Sequence, residues 1–114
     1  MSRSLSALDP YFRPFGAYLV QVARSLGPTT VTSTRRSWAD QARLYLDYVQ
    51  GRRALPALPP ERSLHVLGYA VDLVVGSYTP GGPPSPEMAA LGQWWRDSGG
   101  RWGGAADPVH FSAS

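Results

Sequence analysis

The chain has 114 residues, of which 43% are hydrophobic, 11% aromatic and 17% charged, a balance that supports one compact domain and argues against disorder. Cysteine is absent and there are only two histidines, which excludes disulfides, thiolate metal sites, cysteine nucleophiles and a three-histidine metal site. The formal net charge is +3 and all eleven basic residues are arginine, a fact that bears on encounter and solubility rather than on fold.

Asp9-Pro10 predicts a helix start, which Pro14 can delay by a turn. Phe15, Leu19, Val22 and Leu26 then recur at helical spacing, with Phe15, Leu19 and Leu26 expected in the core, and Gly27-Pro28 ends the element. The β-branched stretch Thr29–Ser33 reads as a strand. A second helix begins at Ser37, with Asp40 at the capping-box position, and presents Ala42, Tyr45 and Val49 on one face up to Gly51. Residues 52–62 form a Pro-rich loop, Ala70–Val75 is the clearest strand, and residues 77–84 make a long turn. Ser85-Pro86-Glu87 opens a third helix bearing Met88, Leu91 and Trp95, and Gly99-Gly100 closes it. Of the adjacent Trp94 and Trp95, one is expected to pack inward. Val109-His110-Phe111 is a short extended segment. There is no internal repeat, and no apolar run approaches the ~20 residues of a membrane-spanning helix. The expected fold is α+β: a small, mostly antiparallel sheet flanked by about three helices, in a single domain over residues 1–114.

Two strands carry the informative polar residues. Period-2 alternation puts Val71, Leu73 and Val75 on one face of their strand and Asp72 on the other. An acid in so apolar a run is costly unless it is charge-paired or metal-bound. His110 likewise faces away from Val109 and Phe111, so neighbouring strands that share one core present Asp72 and His110 together on the opposite face. His65 precedes the first of these strands, and Gly68 permits the turn that folds it back. Two imidazoles and a carboxylate converging on an open face are the ligand set of a catalytic zinc.

Ser63-Leu-His65-Val-Leu-Gly68-Tyr-Ala70-Val-Asp72 fits S-x-H-x-x-G-x-A-x-D, and Asp107-Pro-Val-His110 fits a downstream D-x-x-H. Thr32-Ser-Thr-Arg-Arg36-Ser37 with Gln41 is similar to an S-G-x-R-S…Q segment. Together these motifs resemble the VanY-type zinc D-alanyl-D-alanine carboxypeptidases and L-alanyl-D-glutamate endolysins, over about residues 29–111. The resemblance implies one Zn²⁺ held by His65, Asp72 and His110 on the open face of the sheet, with Asp107 as general base. It implies that Arg36 stabilises the oxyanion or holds a substrate carboxylate, with neighbouring Arg35 able to do the same. Ser63 and Gln41 become supporting or substrate contacts. Ser112 stands where the family often has a glutamate, and Ala105-Ala106 where a second aromatic is common.

The expected activity is hydrolysis of bacterial peptidoglycan stem peptides at either the D-Ala–D-Ala or the L-Ala–D-Glu bond. The alternative is a non-catalytic, zinc-stabilised module that binds cell wall or a partner protein. The arginines are scattered without aromatic-basic alternation, so nucleic acid is not an expected partner. The start of the chain is too short and polar before Asp9-Pro10 to form the apolar part of a secretory signal. The expectation is therefore a monomer made in the cytoplasm that reaches the wall, as a phage lysin does, through a separate pore-forming release protein.

Overall fold

The computed structural model describes residues 2–113. Four antiparallel strands, β1 (Thr29–Ser33), β2 (Ala70–Val75), β3 (Arg101–Gly103) and β4 (Asp107–Ser112), form one sheet in the order β1-β2-β4-β3. The helices are α1 (Arg13–Leu26), α2 (Trp38–Val49), the one-turn α3 (Leu64–Leu67) and α4 (Pro86–Asp97). Short 3₁₀ turns at Leu5–Ala7 and Pro60–Arg62 complete the elements. The α+β class is as expected, but α3 and β3 add to the expected helices and strands. α3 is too short for a periodic signal, and β3 is three residues centred on one tryptophan.

Helices α1 and α4 pack on one another and on one face of the sheet. Val71, Leu73 and Val75 of β2 and Val109 and Phe111 of β4 meet Leu19, Val20 and Ala23 of α1 and Met88, Leu91 and Trp95 of α4 in the hydrophobic core. Trp95 packs inward and donates its indole N–H to the Ser112 carbonyl at 2.9 Å, while Trp94 stays half-buried and stacks on Tyr18. Ser85 and Ser37 cap α4 and α2 with their hydroxyls, as their positions predict. The buried stripe of α1 is Gly16, Leu19, Val20 and Ala23, rotated from the expected one, and Phe15 (59% exposed) and Leu26 (40%) lie outside the core. Two of the four buried residues are Gly and Ala, whose small size lets the helix approach the sheet but leaves little trace in an apolar pattern. In α2, Val49 is likewise exposed and the one buried residue is the polar Gln41.

On the opposite face of the sheet lies a cleft of about 600 Å³, lined by residues of α2 and of the loop that follows it together with residues of β2 and β4. The β3–β4 hairpin borders this cleft, and its register shifts so that Gly103 pairs with Asp107. A Cβ on Gly103 would lie 2.1 Å from the Asp107 carbonyl oxygen, backbone that cannot yield as a side-chain tip does. Gly103→Ala is therefore expected to lower stability by about 2 kcal/mol or more, read as a fall of several degrees in thermal melting. An unchanged melting temperature would show that the hairpin does not need this close approach.

Candidate metal centre and active-site cleft

The pairing of β2 with β4 places Asp72 directly opposite His110. The flanking pair Val71–Phe111 enters the core, so alternation sends Asp72 and His110 to the cleft side. His65 comes from α3. The Ser63 hydroxyl caps that turn by accepting the His65 backbone N–H at 3.2 Å. Gly68 ends it at φ +81°, and a Cβ there would meet the Asp9 backbone nitrogen at 2.6 Å. The chain thus reverses within three residues and His65 looks back at the strand it precedes.

Three atoms converge on the cleft floor. His65 Nε2 lies 3.0 Å from Asp72 Oδ1, His110 Nδ1 lies 3.3 Å from the same oxygen, and the two nitrogens are 3.3 Å apart. Ligands bonded to a tetrahedral Zn²⁺ at ~2.0–2.1 Å are separated from one another by roughly 3.3–3.4 Å, so the triangle has the dimensions of a zinc face. The donor chemistry agrees. His65 Nδ1 lies 2.7 Å from the Thr34 carbonyl, which can only accept, so Nδ1 donates there and Nε2 is the ring nitrogen aimed at the carboxylate. A carbonyl partner of this kind fixes the tautomer and angle of a ligating imidazole. Two imidazole nitrogens and a carboxylate oxygen brought this close are a donor set that a single cation can share, and these residues could hold one.

The second oxygen of Asp72 accepts from Arg36 Nη2 at 2.5 Å. Arg36 is itself tied down: Nε donates to Ser33 Oγ and Nη1 to Gln41 Oε1, each at 3.1 Å. Gln41 Nε2 in turn donates to the Leu58 carbonyl at 2.7 Å, which anchors the Pro-rich loop over the site. Ser33 reaches Arg36 because β1 is bulged after Val31, an extra residue that puts Ser33 rather than Thr32 opposite Asp72. Burial opposes ionisation of Asp72, but His65, His110 and Arg36 outweigh it and hold the carboxyl well below the usual carboxylate range. Asp107 is affected in the other direction: burial, with the Asp72 charge adding to it, pushes its carboxyl up to about 6.

The residues singled out in the sequence are thus assembled in one place. His65, Asp72, His110, Asp107, Arg36, Ser63 and Gln41 all line the same cleft. Arg36 is buried and lines the cleft, whereas Arg35 is exposed outside it. Gln41 is a buried brace. Ser112 Oγ is buried and has no hydrogen-bond partner among the described residues. Three contributors escape sequence reasoning: the Thr34 carbonyl, Ser33 and Arg53, which also lines the cleft. A backbone carbonyl has no residue-type signature, and only the bulge brings Ser33 into play.

No protein-family model matches the chain, and no curated protein matches it by sequence. Solved structures do match. The vancomycin-resistance D,D-dipeptidase VanXYg, in complex with a D-Ala-D-Ala phosphinate analogue, superposes with a TM-score of 0.64 at 18% identity over 92% of this chain. This chain spans 49% of the VanXYg chain, about half its length. The vancomycin-resistance D,D-pentapeptidase VanY, in complex with Zn(II), gives 0.58 at 19% identity, covering 94% of this chain and 73% of that one. The Serratia marcescens L-Ala D-Glu endopeptidase ChiX gives 0.60 at 23% identity, covering 99% and 87%. Identities this low establish likeness of fold: the chain shares the architecture of these peptidases and carries a His–Asp–His group on the floor of its cleft.

Proposed function

We propose that this chain is a zinc-dependent peptidase that hydrolyses peptide bonds in bacterial peptidoglycan stem peptides. The observation that carries the reading is the triangle of His65, Asp72 and His110 donor atoms, 3.0–3.3 Å on a side, in a cleft that Asp107 also lines. The peptidase fold and the sequence motifs support the substrate class. One Zn²⁺ at that triangle supplies Lewis acidity and lowers the pKa of its water to ~7.

The protein's own groups then have distinct tasks. Asp107, outside the triangle, takes the proton from the attacking water and returns it to the leaving amine. Arg36 holds the orientation of Asp72 and lends positive charge to the oxygen on which negative charge develops. Ser63 and Gln41 act through their neighbours, one by fixing the turn that aims His65, the other by fixing Arg36 and the loop.

Peptidoglycan clearing by the purified protein is expected to stop with a chelator and return with Zn²⁺. Activity that survives complete metal removal would refute the mechanism. Asp107→Asn is expected to lower the rate by about 10²–10⁴ with zinc binding retained, which a wall-binding module without catalysis would not show.

The same residue gives a pH signature in the metal-free chain. Its folded pKa of about 6 stands above the unfolded value of 3.8, so the stability linked to its proton is full below the unfolded value and is lost as pH rises through about 6. Between pH 5 and 8 the metal-free chain is expected to lose on the order of 1–2 kcal/mol from this group, and Asp107→Asn to abolish that slope in urea unfolding. Identical slopes in the two proteins would show that Asp107 is not held in its protonated form by the fold.

A further inference from the structure

The core side of the sheet does not end where the strands do. The pairing of β2 with β4 runs one step further, with the Ala113 N–H donating to the Tyr69 carbonyl at 3.1 Å. Alternation sends both side chains to the side of Val71 and Phe111, away from the metal centre. A groove of about 620 Å³ opens there, between the start of α1 and the end of α4. That volume lies within the range of small-ligand sites.

The walls of the groove are aromatic. Tyr11, Phe15 and Tyr18 follow one another at spacings of four and three, so α1 and the turn before it present three rings on one side. Tyr11 is 84% exposed and Tyr18 57%. Scattered exposed rings are ordinary, whereas a contiguous set around a concavity marks a binding surface. Across the groove Trp94 stacks on Tyr18 with centroids 5.6 Å apart and planes 18° from parallel. Phe12 and Trp95, both buried and edge-to-face at 6.3 Å, make a fixed floor.

The polar groups at this groove are unpartnered. Trp95 and Trp102 donate their indole N–H groups to backbone carbonyls. The Trp94 N–H and the hydroxyls of Tyr11 and Tyr18 make no hydrogen bond among the described residues. No charged side chain lines the groove, in a chain with eleven arginines. A pyranose ring offers C–H groups on its faces and hydroxyls around its edge. The negative faces of aromatic rings accept the first, and free phenol and indole groups serve the second. Charge narrows the ligand further, because an ionic group would find no counter-ion here. The glycan strand of peptidoglycan is uncharged at each sugar that bears a stem peptide, since that sugar's carboxyl is taken up in the amide bond.

We infer that this groove is a second binding site, for an uncharged N-acetylated oligosaccharide of the glycan strand. It holds the protein on the polymer and so raises the effective concentration of stem peptides at the cleft on the other face. The choice of polymer rests on the peptidase reading.

The test titrates the full-length, zinc-loaded chain with the tetramer of N-acetylglucosamine, followed by calorimetry and tryptophan fluorescence. Saturable binding with a shift in emission is expected. Tyr11→Ala and Tyr18→Ala, at exposed positions where melting temperature checks the fold, are each expected to weaken it by roughly 5- to 20-fold. Trp94→Phe, which keeps a ring and removes the N–H, is expected to weaken it several-fold. In Tyr18→Ala the clearing of insoluble peptidoglycan is expected to fall several-fold, while cleavage of the soluble pentapeptide L-Ala-γ-D-Glu-L-Lys-D-Ala-D-Ala stays unchanged. No saturable binding at millimolar sugar, or full binding by a folded Tyr18→Ala variant, would overturn the proposal. So would self-association of the wild type that Tyr18→Ala abolishes in the absence of any sugar binding, since the occupant would then be a second copy of the chain. Sugar binding without cleavage of any peptide would uphold the groove and count against the peptidase reading alone.

Discussion

The carboxylate of Asp72 is gripped on two sides, with Arg36 on one oxygen and the imidazoles of His65 and His110 around the other. Such a group cannot be buried alone in an apolar strand, because an unpaired buried charge costs several kcal/mol. Each of its partners is therefore as much a condition of the fold as a part of the site. The bulge in β1 exists opposite Asp72, the α3 turn aims His65 at it, and the β2–β4 register brings His110 across from it. A slip of β4 by one residue would turn His110 into the core and Phe111 into the cleft. The hydrophobic face of the sheet forbids that slip, and so protects the geometry on the other face.

That two-sided constraint explains which parts were legible in the sequence. Asp72 inside Ala70–Val75 and His110 between Val109 and Phe111 are polar interruptions of apolar alternation, and alternation fixes the side to which they point. The Ser63 cap and Gly68 stop are equally local devices, readable because a hydroxyl cap and a left-handed residue each have strong residue preferences. The helices opened by Ser37 and Ser85 were readable for the same reason.

What escaped reading depends on tertiary context. The inward face of α1 is set by Gly16 and Ala23 fitting under their neighbours, so the larger Phe15 and Leu26 are displaced outward and a pattern of bulky residues points the wrong way. Gln41 looks like helix surface until the loop at Leu58 closes over it. The bulge in β1 has no residue-type marker, and the help that His65 receives from the Thr34 carbonyl is backbone chemistry that any residue could supply. Arg53 follows Arg52 in a Pro-rich stretch, and nothing local says that one turns out and the other in.

X-ray absorption at the zinc edge, on protein loaded with one equivalent of Zn²⁺, addresses the central geometry without relying on turnover. The account predicts stoichiometric binding with two imidazole nitrogens and a carboxylate oxygen at ~2.0–2.2 Å, completed by a light-atom ligand from solvent. A chain that binds no zinc tightly, or a coordination shell in which imidazole scattering is missing, would contradict it.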